Sequence, residues 1–184
     1  FYNTLVPEAP KGIILNSRIL WSFSAASNHL QTNEYKALCD RSFQYLQQYF
    51  RDEKYGGVYW ELNYQGKPVN VRKQVYAQAF MIYALSEYFI FSKNPLALQW
   101  ALEIYGLIEK YANDRKFGGY TEAFDRDWSN IDDMRLSEKD ANEAKTMNTH
   151  LHVLEAYTNL YRVHREKALE NQLRFLIEKF LNTF

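Results

Sequence analysis

The feature that most constrains the fold of this chain is an internal repeat. Residues 51–59, RDEKYGGVY, return as residues 113–121, NDRKFGGYT, so that glycine pairs recur 62 residues apart, at Gly56 and Gly118. Self-similarity at such a period predicts stacked supersecondary units. Each copy begins where an amphipathic helical pattern ends, which predicts that the glycines adopt the positive φ angles that stop a helix and turn the chain.

Helical periodicity of two kinds dominates the rest of the chain. Some segments repeat apolar residues every three or four positions and keep one polar face, whereas residues 75–91 are apolar nearly all round. A helix of the second kind is expected to be covered on both sides. We therefore predict inner helices at about 13–28, 73–92 and 145–163 and outer helices at about 33–50, 95–112 and 166–183.

Short β-hairpins are predicted between the helix pairs. Val58, Trp60 and Leu62 alternate with more polar neighbours ahead of the turn residues QGKP at 65–68, and a second hairpin is expected after the second glycine pair. The predicted fold class is all-α: an α/α toroid of about three helix pairs, forming one domain over residues 1–184, with inner helices that line a cavity. The alternative is an ordinary helical bundle whose two glycine turns match by chance.

Composition excludes several classes of partner. Lysine plus arginine equals aspartate plus glutamate at 22 each, so no basic field favours nucleic acid or an anionic membrane. The single cysteine, Cys39, cannot form a disulfide framework and is expected to be a buried structural thiol. With no long uncharged apolar run and no signal-peptide pattern at the start, we expect a cytoplasmic protein.

The two ends of the chain suggest a piece of something longer. Phe1-Tyr2-Asn3 is similar to the second half of a glycine–aromatic hairpin, and the chain closes on the pattern of an outer helix at residues 180–184. A toroid of three helix pairs would expose the apolar flanks of its first and last units. We therefore expect either a further half or a second chain to close the barrel.

Polar residues at the starts of the inner helices are the candidates for function. Asn148 and His152 lie one turn apart at the start of an otherwise apolar helix, on a stripe that continues to Glu155 and Asn159. His150 lies about 200° of rotation from His152 and must face elsewhere. The corresponding positions on the two earlier inner helices are Arg18 and Tyr76 with Gln78, and Trp21 is the aromatic residue expected to face the cavity.

Five blocks of sequence carry a family resemblance. Together they resemble the cellobiose 2-epimerase branch of the N-acylglucosamine 2-epimerase family, from about residue 10 to the last helix. The blocks are GIILNSRILWSF at 12–23, YGGVYW at 55–60, YAQAFMIYALSEY at 76–88, EAFD at 122–125 and KTMNTHLH at 145–152. The resemblance implies an (α/α)6 barrel that inverts C2 of the reducing-end glucose of a β-1,4-linked disaccharide, without metal or nucleotide cofactor.

Inversion at C2 of an open-chain sugar removes a proton beside the aldehyde, passes through an enediolate and returns a proton to the other face. It needs two acid/base groups and a group that stabilises the anion. Matched to the family, His152 and Arg18 fall on catalytic positions, and Tyr76, Asn148 and Asp140 fall on positions that hold hydroxyl groups. Four of them have a structural alternative: His152 as a core histidine, Arg18 in a structural ion pair, Tyr76 as a core tyrosine and Asp140 in a solvated surface loop.

The resemblance also implies that part of the site lies elsewhere. The two proton-transferring histidines of the family, with a glutamate and pocket tryptophans, belong to inner helices beyond Phe184, and His29 and His164 are expected to face solvent rather than replace them. The chain alone is therefore expected to be inactive. A half-toroid binding or assembly module and a relative of N-acylglucosamine 2-epimerases or mannose isomerases remain as alternatives. A glycoside hydrolase would need paired carboxylates, and only Asp140 is a candidate.

Overall fold

The computed structural model describes residues 4–182, and the predicted alternation of inner and outer helices is confirmed. Residues 1–3, assigned above to half of a hairpin, and the predicted end of the last helix at 183 lie outside the described residues. The helices are α1 (Ile13–Leu30), α2 (Lys36–Tyr45), α3 (Val75–Ser92), α4 (Pro95–Leu107), α5 (Met147–Tyr161) and α6 (Lys167–Asn182).

The helices form two layers. Helix α3 packs against both α1 and α5, and each outer helix, α2, α4 or α6, packs on the inner helix that precedes it in the chain. Ala77, Ala79 and Met81 of α3 are wholly buried, and small residues on this helix let its neighbours approach closely. The chain is thus an arc of three helix pairs with α/α architecture, as the sequence predicted.

The repeat is a structural unit as well as a sequence pattern. Helices α2 and α4 both end in a π-helical turn, at Leu46–Phe50 and Ile108–Ala112. An antiparallel bridge directly after each π-helical turn encloses the glycine pair. The same succession of helix, π turn and glycine turn in both copies argues against a chance match between the two turns.

The first predicted hairpin is confirmed. Strand β2 (Glu61–Leu62) pairs antiparallel with β3 (Pro68–Asn70), and β1 (Lys11–Gly12) pairs with the other edge of β2. Because β1 leads directly into α1, the hairpin holds the start of that inner helix.

The second predicted hairpin differs from the prediction. Strand β5 (Ala123–Phe124) pairs with β4 (Lys73–Gln74), which leads into α3, and its own unit supplies only a single bridge from Phe124 to Asn130 among the described residues. In both units the strand after the glycine pair is therefore paired with the lead-in of the preceding inner helix. Sequence alternation identifies a strand but does not say which edge it joins.

A longer connection precedes the third inner helix. The first residues of α1 and α3 are 62 positions apart and those of α3 and α5 are 72 apart, although the glycine pairs keep the spacing of 62. The ten extra residues therefore fall after the second glycine pair, within residues 125–146, which we call the mouth loop. Arg72 and Gln74 both donate to the carbonyl oxygen of Arg135, so the loop lies against the start of α3.

The structure bears on the single cysteine and on membrane-spanning helices. Cys39 is buried on α2, and burial raises the pKa of its thiol, as expected of a structural cysteine. Among residues 4–182, no helix combines the length and the apolar character that crossing a bilayer requires.

The glycine turns generate a test of the fold. Gly57 has φ +70°, and a Cβ atom there would lie 2.7 Å from Oε1 of the buried Gln78. Gly57→Ala is expected to lower the free energy of unfolding by about 2 kcal/mol, because alanine is strained at positive φ and meets a packed side chain. Chemical denaturation followed by circular dichroism measures this change.

The matched control is Gly106→Ala in α4, where a Cβ atom meets nothing within 4 Å. This substitution is expected to raise the free energy of unfolding by up to about 1 kcal/mol, because alanine is the better helix former. Equal effects at the two positions would contradict the role assigned to the glycine turn.

Candidate active site

The three inner helices present equivalent positions side by side. Counted from the first residue of each helix, Arg18, Phe80 and His152 hold the same place. The guanidinium carbon of Arg18 lies 5.0 Å from the centre of the Phe80 ring, and the rings of Phe80 and His152 are 4.6 Å apart. The repeat therefore brings the two predicted catalytic residues into one row, on either side of a phenylalanine.

Trp21 and Tyr83 belong to the next row. Their rings stack with centres 5.1 Å apart and planes 17° from parallel, and Glu155 holds the third place of the same row on α5. Tyr76 contacts His152 edge to face at 4.7 Å. Four of the six predicted site residues, Arg18, Trp21, Tyr76 and His152, thus line one surface of the inner helices, which we call the inner surface.

Glu155 orients the ring of His152. Its carboxylate lies 2.7 Å from Nδ1 of the histidine, and only 16% of the His152 side chain is exposed. A carboxylate accepts a hydrogen bond, so Nδ1 of His152 carries the proton that it donates to Glu155. Nε2 is then the nitrogen with a free lone pair. A histidine held in this way by a carboxylate is arranged for proton transfer.

Arg18 and Tyr76 supply the other polar groups of the inner surface. Arg18 makes no ion pair with the described part of the chain, so the alternative of a structural ion pair finds no support. Burial raises the pKa of Tyr76 although the charge of Arg18 opposes the shift. Tyr76 is therefore a neutral hydroxyl group that can donate a hydrogen bond.

Asp140 and Asn148 lie apart from that row. They line a separate cavity of about 240 Å³ beneath the mouth loop, together with Glu122. The backbone N–H and hydroxyl group of Ser137 both donate to Asp140 at 2.8 Å, so its carboxylate stabilises its own exposed loop. The structure does not bring Asp140 into contact with His152, which leaves the solvated-loop alternative open.

The remaining histidines are placed as follows. His150 is buried on the opposite side of α5 from His152, as the helical rotation predicted. His29 is exposed, whereas His164 is half-buried and lies 3.2 Å from Glu166. In residues 4–182, no three His, Cys, Asp or Glu side chains are grouped to hold a metal ion.

Sequence analysis missed Glu87, which ties the three inner helices together at the far end. Asn28 on α1 donates to its carboxylate at 2.7 Å, Asn159 on α5 at 3.2 Å, and Arg162 at 2.9 Å. The available signal was a lone carboxylate in the apolar sequence of α3. A buried charge requires such partners, so Glu87 fixes the spacing of the helices.

Each glycine turn is clasped to the inner helix that follows it. Asp52 accepts backbone N–H bonds from residues 54 and 55 and a 2.8 Å bond from the buried Lys73, just ahead of α3. Asp114 repeats this arrangement with residues 116 and 117 and with Lys145 at 2.5 Å. We call each pair an Asp–Lys clasp.

The first clasp is fully buried. Burial of the Asp52 carboxyl opposes ionisation, but hydrogen bonds from Arg126 and Lys73 outweigh it and hold the pKa well below its usual range. Arg126 belongs to the mouth loop and donates from Nε at 2.9 Å. The first clasp therefore also anchors the loop.

The difference between the clasps can be tested. Asp52→Asn is expected to lower the free energy of unfolding by about 3–5 kcal/mol, because it leaves the buried Lys73 ammonium without its carboxylate. Asp114→Asn, at a clasp whose side chains are partly exposed, is expected to cost less. Denaturation of both variants at pH 7 provides the comparison, and equal losses would contradict the distinction.

Comparison with known proteins finds relatives that match nearly the whole of this chain. A cellobiose 2-epimerase from Bacteroides fragilis is 53% identical over 96% of this chain and 45% of its own length. The structure of a cellobiose 2-epimerase from Bacillus thermoamylovorans superposes with a TM-score of 0.93 at 41% identity, over 97% of this chain and 46% of the other. The chain thus spans about half the length of the relatives it matches.

A structure of a D-mannose isomerase also superposes, with a TM-score of 0.79 at 22% identity over 92% of this chain and 41% of the other. This likeness shows the shared α/α fold alone. The family model described as N-acylglucosamine 2-epimerase (GlcNAc 2-epimerase) matches residues 2–184. With that match over nearly its whole length, the chain belongs to the N-acylglucosamine 2-epimerase family.

Proposed function

We propose that residues 1–184 form the N-terminal half of the catalytic domain of a sugar 2-epimerase, which inverts C2 of the reducing-end glucose of cellobiose-type β-1,4 disaccharides. The observation that carries the proposal is the row of Arg18, Phe80 and His152 on the inner surface, with Glu155 bound to the histidine. Relatives with the name cellobiose 2-epimerase support the choice of substrate.

Each residue of the inner surface has a role in this chemistry. Nε2 of His152 exchanges a proton with a sugar oxygen at the O1/O2 end, and Glu155 stabilises the imidazolium that forms. The guanidinium group of Arg18 stabilises the developing enediolate oxygens. The apolar ring of Phe80 lies between Arg18 and His152 and excludes water. Exclusion of water strengthens the attraction between Arg18 and the enediolate oxygens.

The aromatic row beside it suits the body of the sugar. Trp21 and Tyr83 present stacked rings, and such surfaces pack against the apolar faces of sugar rings. We assign the Tyr76 hydroxyl to a sugar oxygen, and Asn148 and Asp140 to groups of the substrate that reach the cavity under the mouth loop. Inversion at C2 also needs two acid/base groups on opposite faces of the sugar, and we assign both to the second half of the domain. No metal or nucleotide takes part in these steps.

Exposed apolar residues on the flank formed by α1 support the proposal that another part of the domain packs there. Leu15 and Ile19 are 65% and 37% exposed, whereas the residues at the same places on α3, Ala77 and Met81, are fully buried. These two side chains help to line an apolar groove of about 390 Å³ between α1 and α2. The exposed apolar side chains at these positions are suited to pack against a further helix.

The flank formed by α5 is uncovered in the same way. Leu151 is 39% exposed, and its equivalents on the other inner helices, Ser17 and Ala79, are fully buried. We propose that the second half of the domain covers both flanks and closes the ring. The alternative is a half-toroid that pairs with a second copy and serves as a binding or assembly module. A cytoplasmic location stays a prediction.

A chimera tests the function. The chain replaces the matching 45% of the Bacteroides fragilis relative, and cellobiose is incubated with the product in deuterated water. NMR is expected to show deuterium at C2 and a product with mannose at the reducing end, while the isolated chain shows neither. A folded, monomeric chimera without C2 exchange would contradict the epimerase proposal, and a stable homodimer of the isolated chain would favour the assembly module.

In that chimera, His152→Asn is expected to lower kcat by about 10²–10⁴-fold, because a general acid/base group contributes that much. His164→Asn is the matched control, since His164 lies outside the inner surface, and its kcat is expected to stay within about twofold. Initial rates of C2 exchange measure both. If the two variants lost activity equally, the role given to His152 would be wrong.

A further inference from the structure

His150 is a buried histidine that the proposed reaction does not use. The backbone N–H of Tyr120 lies 2.9 Å from its Nε2 atom, and the carbonyl oxygen of Thr146 lies 2.6 Å from its Nδ1 atom. A backbone N–H can only donate and a carbonyl can only accept, so Nδ1 carries the proton and Nε2 carries none. The two partners therefore require a neutral ring in a single tautomer.

Gln78 holds the equivalent place in the first unit. It follows Lys73 by five residues, as His150 follows Lys145, and both are the fourth residue of their helix. Its Oε1 accepts the N–H of Val58 at 2.9 Å, and its Nε2 donates to the carbonyl of the same residue at 3.0 Å. Val58 directly follows the first glycine pair, as Tyr120 follows the second.

The glycines are required for both contacts. A Cβ atom on Gly57 would lie 2.7 Å from the side-chain oxygen of Gln78, and one on Gly119 would lie 2.5 Å from Nε2 of His150. The two units thus share one device, in which a side chain from the first turn of an inner helix binds the backbone just after the glycine turn. One unit uses an amide and the other an imidazole.

We propose that His150 is a positioning residue: its neutral ring locks the second glycine turn to α5 and so fixes the first turns of that helix, which carry Asn148 and His152. This inference deepens the proposed function and rests on it for the identity of the pocket. Because an imidazolium has no acceptor, the lock at Tyr120 opens on acidification, whereas the amide lock at Val58 does not.

The charged groups that the structure describes around the ring agree with the neutral form. Burial lowers the pKa of His150, and the positive charges of Lys179 on α6 and Lys145 ahead of α5 lower it further, although the bond to the carbonyl of residue 146 opposes the shift. Asp114 forms an ion pair with Lys145. Burial raises the pKa of Tyr120, which lies beside His150, so that its hydroxyl group stays neutral.

A lowered pKa of His150 means that acidification weakens the lock. The open state takes up a proton near the ordinary histidine pKa of about 6.5, whereas the locked state resists protonation until lower pH. The stability of the lock is therefore fully present above about pH 6.5 and is lost as the pH falls below it.

Amide hydrogen exchange of the 184-residue chain tests the proposal without any need for catalysis. The protection factor of the Tyr120 amide, corrected for intrinsic exchange, is expected to fall about tenfold between pH 7.5 and 5.5, as a group of pKa about 6.5 predicts. That of the Val58 amide is expected to change by less than about twofold, because a glutamine side chain does not titrate in this range. Equal losses at the two amides would overturn the proposal.

Two variants complete the test. His150→Gln copies the first unit and is expected to keep the protection of Tyr120 while it abolishes the difference between the two amides. His150→Leu removes the acceptor and is expected to lose protection at Tyr120 at both pH values while Val58 keeps its own. Persistence of the pH difference in His150→Gln, or full protection of Tyr120 in His150→Leu, would overturn the proposal.

The tautomer provides an independent readout. In the unmodified chain at pH 7.5, ¹⁵N NMR is expected to show a protonated Nδ1, an unprotonated Nε2, and a scalar coupling from Nε2 to the amide nitrogen of Tyr120. A protonated Nε2 would rule out the lock. Loss of C2 exchange in the chimera with these signals intact would overturn the epimerase function but leave the lock in place.

Discussion

The bond between an aspartate in the glycine turn and a lysine ahead of the next inner helix is the interaction on which the arrangement depends. Asp52 with Lys73 and Asp114 with Lys145 each join a turn, whose backbone the same carboxylate binds, to the point where a helix begins. A helix that starts at a fixed point also has a fixed rotation, since each residue adds the same turn. Equivalent residues of neighbouring inner helices therefore meet in rows, and the polar groups of the inner surface follow from this register.

Much of this organisation could be predicted from the sequence because it depends on the spacing of the repeat and on helical periodicity. The Gly-Gly repeat indicated stacked units, and the contrast between residues 75–91 and the amphipathic segments separated inner from outer helices. The opposite directions of His150 and His152 followed from helical geometry alone. The row of Arg18 with His152 was also within reach, since it requires only that residues be counted from equivalent helix starts.

What could not be predicted depends on pairing between distant segments. The strand at Ala123–Phe124 was recognisable, but its partner ahead of α3 was not, because alternation carries no information about the neighbouring edge. The bonds of Glu87 to α1 and α5 likewise join segments more than fifty residues away. Asp140 was grouped with the site through family resemblance, and its place depends on the course of a long loop that no periodic pattern describes.

The mouth loop shows how such a fold can vary. Its ten extra residues leave the spacing of the glycine turns unchanged, so the added length is confined to the rim of the inner surface and does not disturb the buried helices. Insertions of this kind leave the packing of the core unchanged. Selection can therefore act on them through the ligands that they allow to bind at the inner surface. Relatives of this architecture would then differ mainly in the length of the loops at the rim. The residue composition of the packed interior, rich in small and aromatic side chains, would stay nearly constant.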